Sequence, residues 1–238
     1  MKGMTQANHL LDPPLVAPLR GIIFDCDGVL FDSLESNRHF YNAILARIGL
    51  PPMTPAQEAY VHVHSVWECY AEIAPGVSRD TLRAAFKDLD YVKEIIPYMK
   101  PMPGLFGFLR WLRAQGMPMA VSTNRSTTME MVTSVFELEP FFSPIMTPLK
   151  TRAKPHPESV HVIFNQWRRL MPDLQAHEVA FIGDSKVDQR TAEAAGLKFW
   201  AYDNPALRAD LHVDCYGKLL AALTRVLDFQ KDNDSLGL

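Results

Sequence analysis

The feature that most constrains the fold is a short apolar segment that ends abruptly in two aspartates. The run Leu19–Phe24 has the length of a strand, and Asp25-Cys26-Asp27-Gly28 follows it at once. An apolar run bounded by glycine predicts a buried strand. Because side chains alternate along an extended chain, Asp25 and Asp27 should point the same way, and Gly28 should allow a sharp turn. Two carboxylates at the end of a core strand are costly unless a cation or a proton relay uses them.

Three further segments carry polar residues at similar positions. The apolar run of residues 120–122 leads into Thr123 and Asn124, and Val179–Ile182 leads into a segment with two more carboxylates, Asp184 and Asp188. Lys154 follows a loop and precedes Pro155 and a helical pattern that begins near Pro157. A rigidly placed cation is therefore expected at Lys154, whereas most lysines are simply solvated.

The order of the predicted elements indicates an α/β fold. Strands are predicted at 19–24, 117–122, 179–182 and 197–202, and helical patterns lie between them. Such alternation implies a Rossmann-like parallel sheet with helices on both faces. Ligands bind beyond the carboxyl ends of the strands in such sheets, where all four polar segments lie.

Residues 34–100 interrupt this alternation with three helical patterns and no convincing strand. The third pattern runs from Leu82 to Ile96, and Ser78 is a plausible N-cap for it. We therefore predict a catalytic core formed by residues 18–33 and 101–238, a helical cap at 34–100, and an irregular N-terminal arm at 1–17.

Composition excludes several functional classes. The 238 residues carry a net charge of −3, which gives no reason to expect nucleic-acid or membrane binding. No segment approaches the roughly 20 apolar residues of a membrane span, and no signal peptide is predicted. The three cysteines are far apart and in no metal-ligand spacing, so reduced thiols in a cytoplasmic protein are expected. The sequence does not indicate an oligomeric state.

In this order, the four segments resemble the nucleophile, Ser/Thr, Lys and acidic-pair motifs of the haloacid dehalogenase superfamily of phosphohydrolases. The resemblance runs from about Leu19 to the last helix. It is greatest to the phosphoglycolate phosphatase and β-phosphoglucomutase group, in which a helical cap follows the first motif. It implies a Mg²⁺-dependent phosphatase acting on a small phosphorylated metabolite.

The resemblance also implies roles for individual residues. Asp25 would be the nucleophile that forms an aspartyl-phosphate, and Asp27 would exchange protons with the leaving alcohol and the attacking water. The Asp25 carboxylate, the Asp27 carbonyl and Asp184 would hold Mg²⁺, and Asp188 would hold water on the ion. Thr123 and main-chain N–H groups would bind the phosphoryl group, and Lys154, the cation of the third motif, would be catalytic.

Substrate contacts are harder to assign. Gly28 and Asn124 are expected to lie against the substrate. In the cap, His62 and His64 stand among aromatic residues, and His64 is the better candidate for a contact to the leaving group. Two histidines at i and i+2 lie on different faces of a helix, so only one is expected to reach the cleft.

Other activities stay open at this point. A sugar-phosphate mutase would retain the same motifs, and a non-catalytic binding or regulatory protein could keep the fold. A dehalogenase does not need Asp27 or a metal. A phosphonate hydrolase needs a reactive cap lysine, but Lys87 and Lys93 fall in a polar helical pattern and are expected to be solvated.

Overall fold

The computed structural model describes residues 19–61 and 66–225. At its centre is a six-stranded parallel sheet in the order β5-β4-β1-β6-β7-β8. The strands are β1 (Gly21–Phe24), β4 (Met119–Ser122), β5 (Ile145–Met146), β6 (Val179–Gly183), β7 (Lys198–Tyr202) and β8 (Leu211–Val213). The sheet confirms the predicted fold class.

Helices alternate with these strands along the chain. Those of the core are α6 (Leu105–Ala114), α7 (Met129–Val135), α8 (Glu158–Trp167) and α9 (Lys186–Ala195). Residues 216–225 are also helical. Single 3₁₀ turns occur at Ile96–Tyr98 and Ala176–Glu178.

Both faces of the sheet are covered by apolar side chains. Ile22 and Phe24 point from β1 into a cluster formed with α6, α7 and residues 216–225. Ile23 points to the opposite face and into a cluster with α8 and α9. Because successive side chains of a strand alternate, a strand that is buried on both faces has the continuous apolar sequence seen here.

Residues 34–98 form a helical insertion with a core of its own. It contains α1 (Leu34–Arg47), α2 (Pro55–Val61), α3 (Val66–Ile73), α4 (Arg79–Lys87) and α5 (Tyr91–Glu94). The insertion core contains Tyr41, Ile44, Tyr70 and Leu82. The chain enters and leaves the insertion through a two-stranded antiparallel ribbon of β2 (Phe31–Asp32) and β3 (Lys100–Pro101).

Three details differ from the sequence prediction. The pattern from Leu82 to Ile96 is two helices, because Asp90 accepts a hydrogen bond from the Lys93 N–H and so begins a new helix. The ribbon of β2 and β3 was not predicted, since two-residue strands carry no periodic pattern. Strand β8 was also not predicted, because its three residues are too few to show a periodic pattern. Ser78 does cap α4, accepting from the Thr81 N–H at 3.1 Å.

Within the described ranges, the structure has no helix of the length and apolar character that crossing a bilayer requires.

Candidate active site

Polar side chains follow the three central strands of the sheet at one edge. Asp25 comes directly after β1, Thr123 directly after β4, and Asp184 directly after β6. Since β1 lies between β4 and β6, these three residues are neighbours at the carboxyl edge. This is where ligands bind in sheets of this kind.

Lys154 lies buried between two carboxylates. Its Nζ forms an ion pair with Asp25 Oδ1 at 2.7 Å and donates a hydrogen bond to Asp188 Oδ1. The Lys154 side chain is only 3% exposed, and that of Asp188 is fully buried. Burial lowers the pKa of Lys154, but the charges of Asp188 and Asp25 raise it by more, so the ammonium stays charged.

Asp188 is held in place by the start of α9. Ser185 caps this helix by accepting from the Asp188 N–H at 3.2 Å, while Asp188 Oδ2 accepts from the Ser185 N–H and hydroxyl. This reciprocal capping box fixes the first turn. Gly183 is required beside it, because a Cβ there would lie 2.2 Å from Asp188 Cβ. Both oxygens of Asp188 are therefore already used by Ser185 and Lys154.

The Asp184 carboxylate, by contrast, is available to a ligand. Over the described ranges, no side chain donates a hydrogen bond to it. It lies so close to Gly28, whose φ is +74°, that a Cβ at Gly28 would fall 1.9 Å from Asp184 Oδ2. Burial and the charge of Asp188 raise the pKa of Asp184 to about 7. Burial and the same charge raise the pKa of Asp25 well above its ordinary value.

The donor set fits a hard divalent cation. One carboxylate oxygen from each of Asp25, Asp184 and Asp188 lies within 4.8 Å of the other two. Mg²⁺ prefers such oxygen ligands and keeps several waters. Burial and, after it, the charge of Asp188 raise the pKa values of Asp25 and Asp184, and a cation bound beside them would offset both effects.

Asp27 has a partner that the sequence analysis missed. Arg125 donates to both of its oxygens, from Nε to Oδ2 at 3.2 Å and from Nη2 to Oδ1. Burial raises the pKa of Asp27, but the Arg125 guanidinium lowers it by more, so the net pKa is below its ordinary range. The sequence feature that could have indicated this partner is the position of Arg125, a charged residue directly after Thr123 and Asn124.

The polar residues at the end of β4 and in the loop after it have different hydrogen-bond partners. Ser122 Oγ lies 2.7 Å from Ser159 Oγ on the buried side, whereas the Thr123 hydroxyl accepts from the Arg125 N–H at 3.0 Å. Asn124 accepts from the Lys154 N–H at 2.8 Å and donates to the Lys154 carbonyl at 3.1 Å. Asn124 was expected to contact substrate. In the structure both polar atoms of its side-chain amide form hydrogen bonds with the Lys154 main chain.

The two candidate lysines of the insertion are exposed to solvent. Lys93 pairs with Asp90 and is 83% exposed, and Lys87 is exposed on α4. Both are solvated, as predicted, so neither supplies the reactive lysine of a phosphonate hydrolase. The proposed substrate contacts His62 and His64 lie outside the described residues.

Comparison with known proteins identifies the class to which this fold and site belong. The haloacid dehalogenase-like hydrolase family matches residues 22–202, and the chain belongs to this family. A solved HAD-superfamily hydrolase of subfamily IA, variant 1, from Geobacter sulfurreducens is 33% identical. It superposes with a TM-score of 0.71 over 85% of this chain and 95% of its own.

Two curated relatives share one name. A phosphoglycolate phosphatase of Rhodobacter capsulatus is 29% identical over 197 residues, which are 76% of this chain and 83% of the relative. A phosphoglycolate phosphatase of Yersinia pseudotuberculosis is 27% identical over 227 residues, with 83% and 88% covered. The family resemblance inferred from the motifs is thereby confirmed.

Proposed function

We propose that this protein is a Mg²⁺-dependent phosphatase that hydrolyses a small phosphorylated metabolite through an aspartyl-phosphate. The observation that carries the proposal is the position of Asp25. Its carboxylate stands at the carboxyl edge of the central strand, 2.7 Å from the buried Lys154 ammonium and beside Asp184 and Asp188. A carboxylate in this setting can attack phosphorus, and hydrolysis is then divided into two steps.

Charge neutralisation is the main requirement of the reaction, because both the nucleophile and the phosphate are anionic. Lys154 supplies one fixed positive charge. Asp25, Asp184 and the main-chain carbonyl of Asp27 would hold Mg²⁺, with Asp188 behind them. When bound, the ion would supply further positive charge against the phosphate oxygens. The hydroxyl of Thr123 and nearby N–H groups would bind the phosphoryl group.

Proton transfer falls to Asp27. Its side chain is 35% exposed, while the arginine behind it is 6% exposed, so the carboxylate is open on one side only. In the first step Asp27 would have to be protonated, against the lowered pKa that Arg125 gives it, and would deliver that proton to the departing alcohol. In the second it would take one from the water that attacks the aspartyl-phosphate. Residues 34–98 would act as a cap that limits which alcohol can be accommodated.

The names of the curated relatives support a small phosphorylated acid as substrate, and phosphoglycolate is the first compound to test. Purified protein should be assayed for inorganic phosphate release from phosphoglycolate, sugar phosphates and p-nitrophenyl phosphate, with Mg²⁺ and with EDTA. We expect turnover with Mg²⁺ only, and loss of several orders of magnitude in Asp25→Asn, since an amide is not a nucleophile here.

Asp173→Asn is the matched control. Asp173 pairs with Arg20 near the amino end of β1, at the opposite edge of the sheet, and is 75% exposed. It should keep wild-type activity. Release of phosphate from none of the compounds would contradict the proposal. Transfer of the phosphoryl group to another hydroxyl of a sugar phosphate, without phosphate release, would indicate a mutase instead.

A further inference from the structure

The Arg125 side chain joins three parts of the molecule. Besides its two hydrogen bonds to Asp27, its Nη1 donates to the Tyr91 hydroxyl and, at 3.1 Å, to Thr128 Oγ1. Tyr91 belongs to α5 of the helical insertion, and Thr128 precedes α7 of the core. All three guanidinium nitrogens are thus used: Nε and Nη2 bind Asp27, and Nη1 binds both Tyr91 and Thr128.

These contacts fix the direction of the Asp27 carboxylate. A guanidinium that donates to both oxygens of a carboxylate holds the plane of that carboxylate, which a single ammonium cannot do. Arg125 is itself held from behind by Tyr91 and Thr128, and its N–H is fixed by the Thr123 hydroxyl. Ser33 also donates a hydrogen bond to the Asp27 carboxylate, so Arg125 and Ser33 together use about three of its four acceptor sites and leave one for a group in the cleft.

The exposed fractions of the two side chains show which of them is open to solvent. The Arg125 side chain is almost completely buried, whereas about a third of the Asp27 side chain is exposed. An ion pair whose only task was stability could bury both partners or leave both exposed. Here the cation lies behind the carboxylate and is tied to the insertion through Tyr91, which also contacts Phe40 of α1 edge to face.

We propose that Arg125 is a positioning residue: it aims the Asp27 carboxylate at the leaving group and couples that aim to the helical insertion through Tyr91. The inference rests on the proposed phosphatase activity and adds to it a determinant outside the four motifs. A shift of α5 would move the Tyr91 hydroxyl, and with it the support behind Asp27. The insertion would then influence proton transfer as well as access.

The test compares two leaving groups. p-Nitrophenolate leaves readily without a proton, whereas an alkoxide needs one from Asp27. We would measure kcat/KM for p-nitrophenyl phosphate and for the alkyl phosphate that the wild type hydrolyses fastest. Because kcat/KM covers only the steps up to departure of the alcohol, later hydrolysis of the aspartyl-phosphate does not enter.

Arg125→Lys keeps the charge but loses the paired hydrogen bonds. It should lower kcat/KM for the alkyl phosphate by about 10- to 100-fold, within the roughly 10²–10⁴-fold that general acid catalysis contributes, and leave p-nitrophenyl phosphate within a few fold. Tyr91→Phe removes only the hydroxyl and should cause a smaller loss of the same kind. The double variant Asp27→Asn/Arg125→Lys should be no worse than Asp27→Asn alone.

Arg110→Lys, an exposed arginine of α6, is the control and should affect neither substrate. Equal losses on both substrates, or losses that multiply in the double variant, would overturn the inference. If Arg125→Lys does not fold, equal losses on both substrates in Tyr91→Phe, or no loss on either, would have the same meaning. A wild-type protein that hydrolyses neither substrate would instead refute the proposed function, so the two failures are distinguishable.

Discussion

Replacing Lys154 by methionine tests the electrostatic logic of the site. Methionine has a similar length, fills the same space and carries no charge. In the wild type the ammonium contacts Asp25 and Asp188, and both contacts are buried. The variant would leave these carboxylates and Asp184 close together without the ammonium that now lies between them.

The expected loss of stability is large for one substitution. Removing one partner of a buried ion pair costs about 3–5 kcal/mol, because the remaining charge stays buried and unpaired. For a protein of this size, 1 kcal/mol changes Tm by about 2–4 °C. Lys154→Met should therefore lower the Tm of the metal-free protein by roughly 6–20 °C at neutral or higher pH.

The loss should depend on pH in a definite direction. Without the ammonium, the folded-state pKa values of Asp25 and Asp184 should rise further above their unfolded values. The folded protein then binds more protons than the unfolded chain over that interval, so the free energy of unfolding falls as pH rises through it. The difference between wild type and variant should be smaller near pH 5 than near pH 8.

The assay is thermal unfolding in EDTA, followed by circular dichroism at the two pH values. Lys218→Met is the matched control, since Lys218 pairs with Asp214 on the surface and is 64% exposed. An exposed pair of this kind contributes about 0–1 kcal/mol. If Lys154→Met costs no more than Lys218→Met, or if its cost does not grow with pH, the description of Lys154 as the counter-charge of the site is wrong.

Three further outcomes follow from the site. Because burial raises the pKa of Asp184 to about 7, protons should compete with Mg²⁺ below that pH, and calorimetry should show affinity falling by up to about tenfold per pH unit. Gly28→Ala should abolish Mg²⁺ binding measured in the same way, because the added carbon would collide with the Asp184 carboxylate. Gly49→Ala is the control, since Gly49 has a φ of +75° but nothing within 4 Å of the added carbon. It should bind Mg²⁺ normally and lose only about 1–2 kcal/mol of stability. Asn124→Ala should lower kcat by about tenfold or more in steady-state assays, because it removes both hydrogen bonds that hold the Lys154 main chain; unchanged kcat would exclude this role.

Much of the site could be predicted because three of the four motifs directly follow a strand. Once the strands are parallel and adjacent, their carboxyl ends must meet, so Asp25, Thr123 and Asp184 had to become neighbours. The sequence also predicted Asp188 near Asp184, but α9 begins only at Lys186, so the turn after β6 and the capping box of Ser185 and Asp188 bring the two carboxylates together rather than helical spacing. These relations depend on regular geometry, which is visible in a sequence.

The contacts of the connecting loops were not predictable in the same way. Arg125 and Asn124 stand side by side in the sequence, yet one supports Asp27 and the other supports Lys154. Their directions depend on the irregular path of the loop after β4, for which no periodicity exists. A buried arginine requires a charged partner. The sequence therefore allows the expectation that Arg125 binds a carboxylate if it is buried, but it does not identify Asp27 as that carboxylate.

The helical insertion was predicted less fully than the core. The division of its third pattern at Asp90 depends on a local capping bond, which competes with a continuous helix by only about 1 kcal/mol. The limits of the cap at 34 and 100 and the roles of His62 and His64 stay predictions.

The most direct test of the central claim is to trap the covalent intermediate. Wild-type protein mixed with its best phosphorylated substrate and Mg²⁺ should be quenched in acid within one turnover and mapped by peptide mass spectrometry. We expect one added phosphoryl group on the peptide that contains Asp25, and none in Asp25→Asn. A phosphoryl group on any other residue, or rapid phosphate release by Asp25→Asn, would contradict the assignment of Asp25 as the nucleophile.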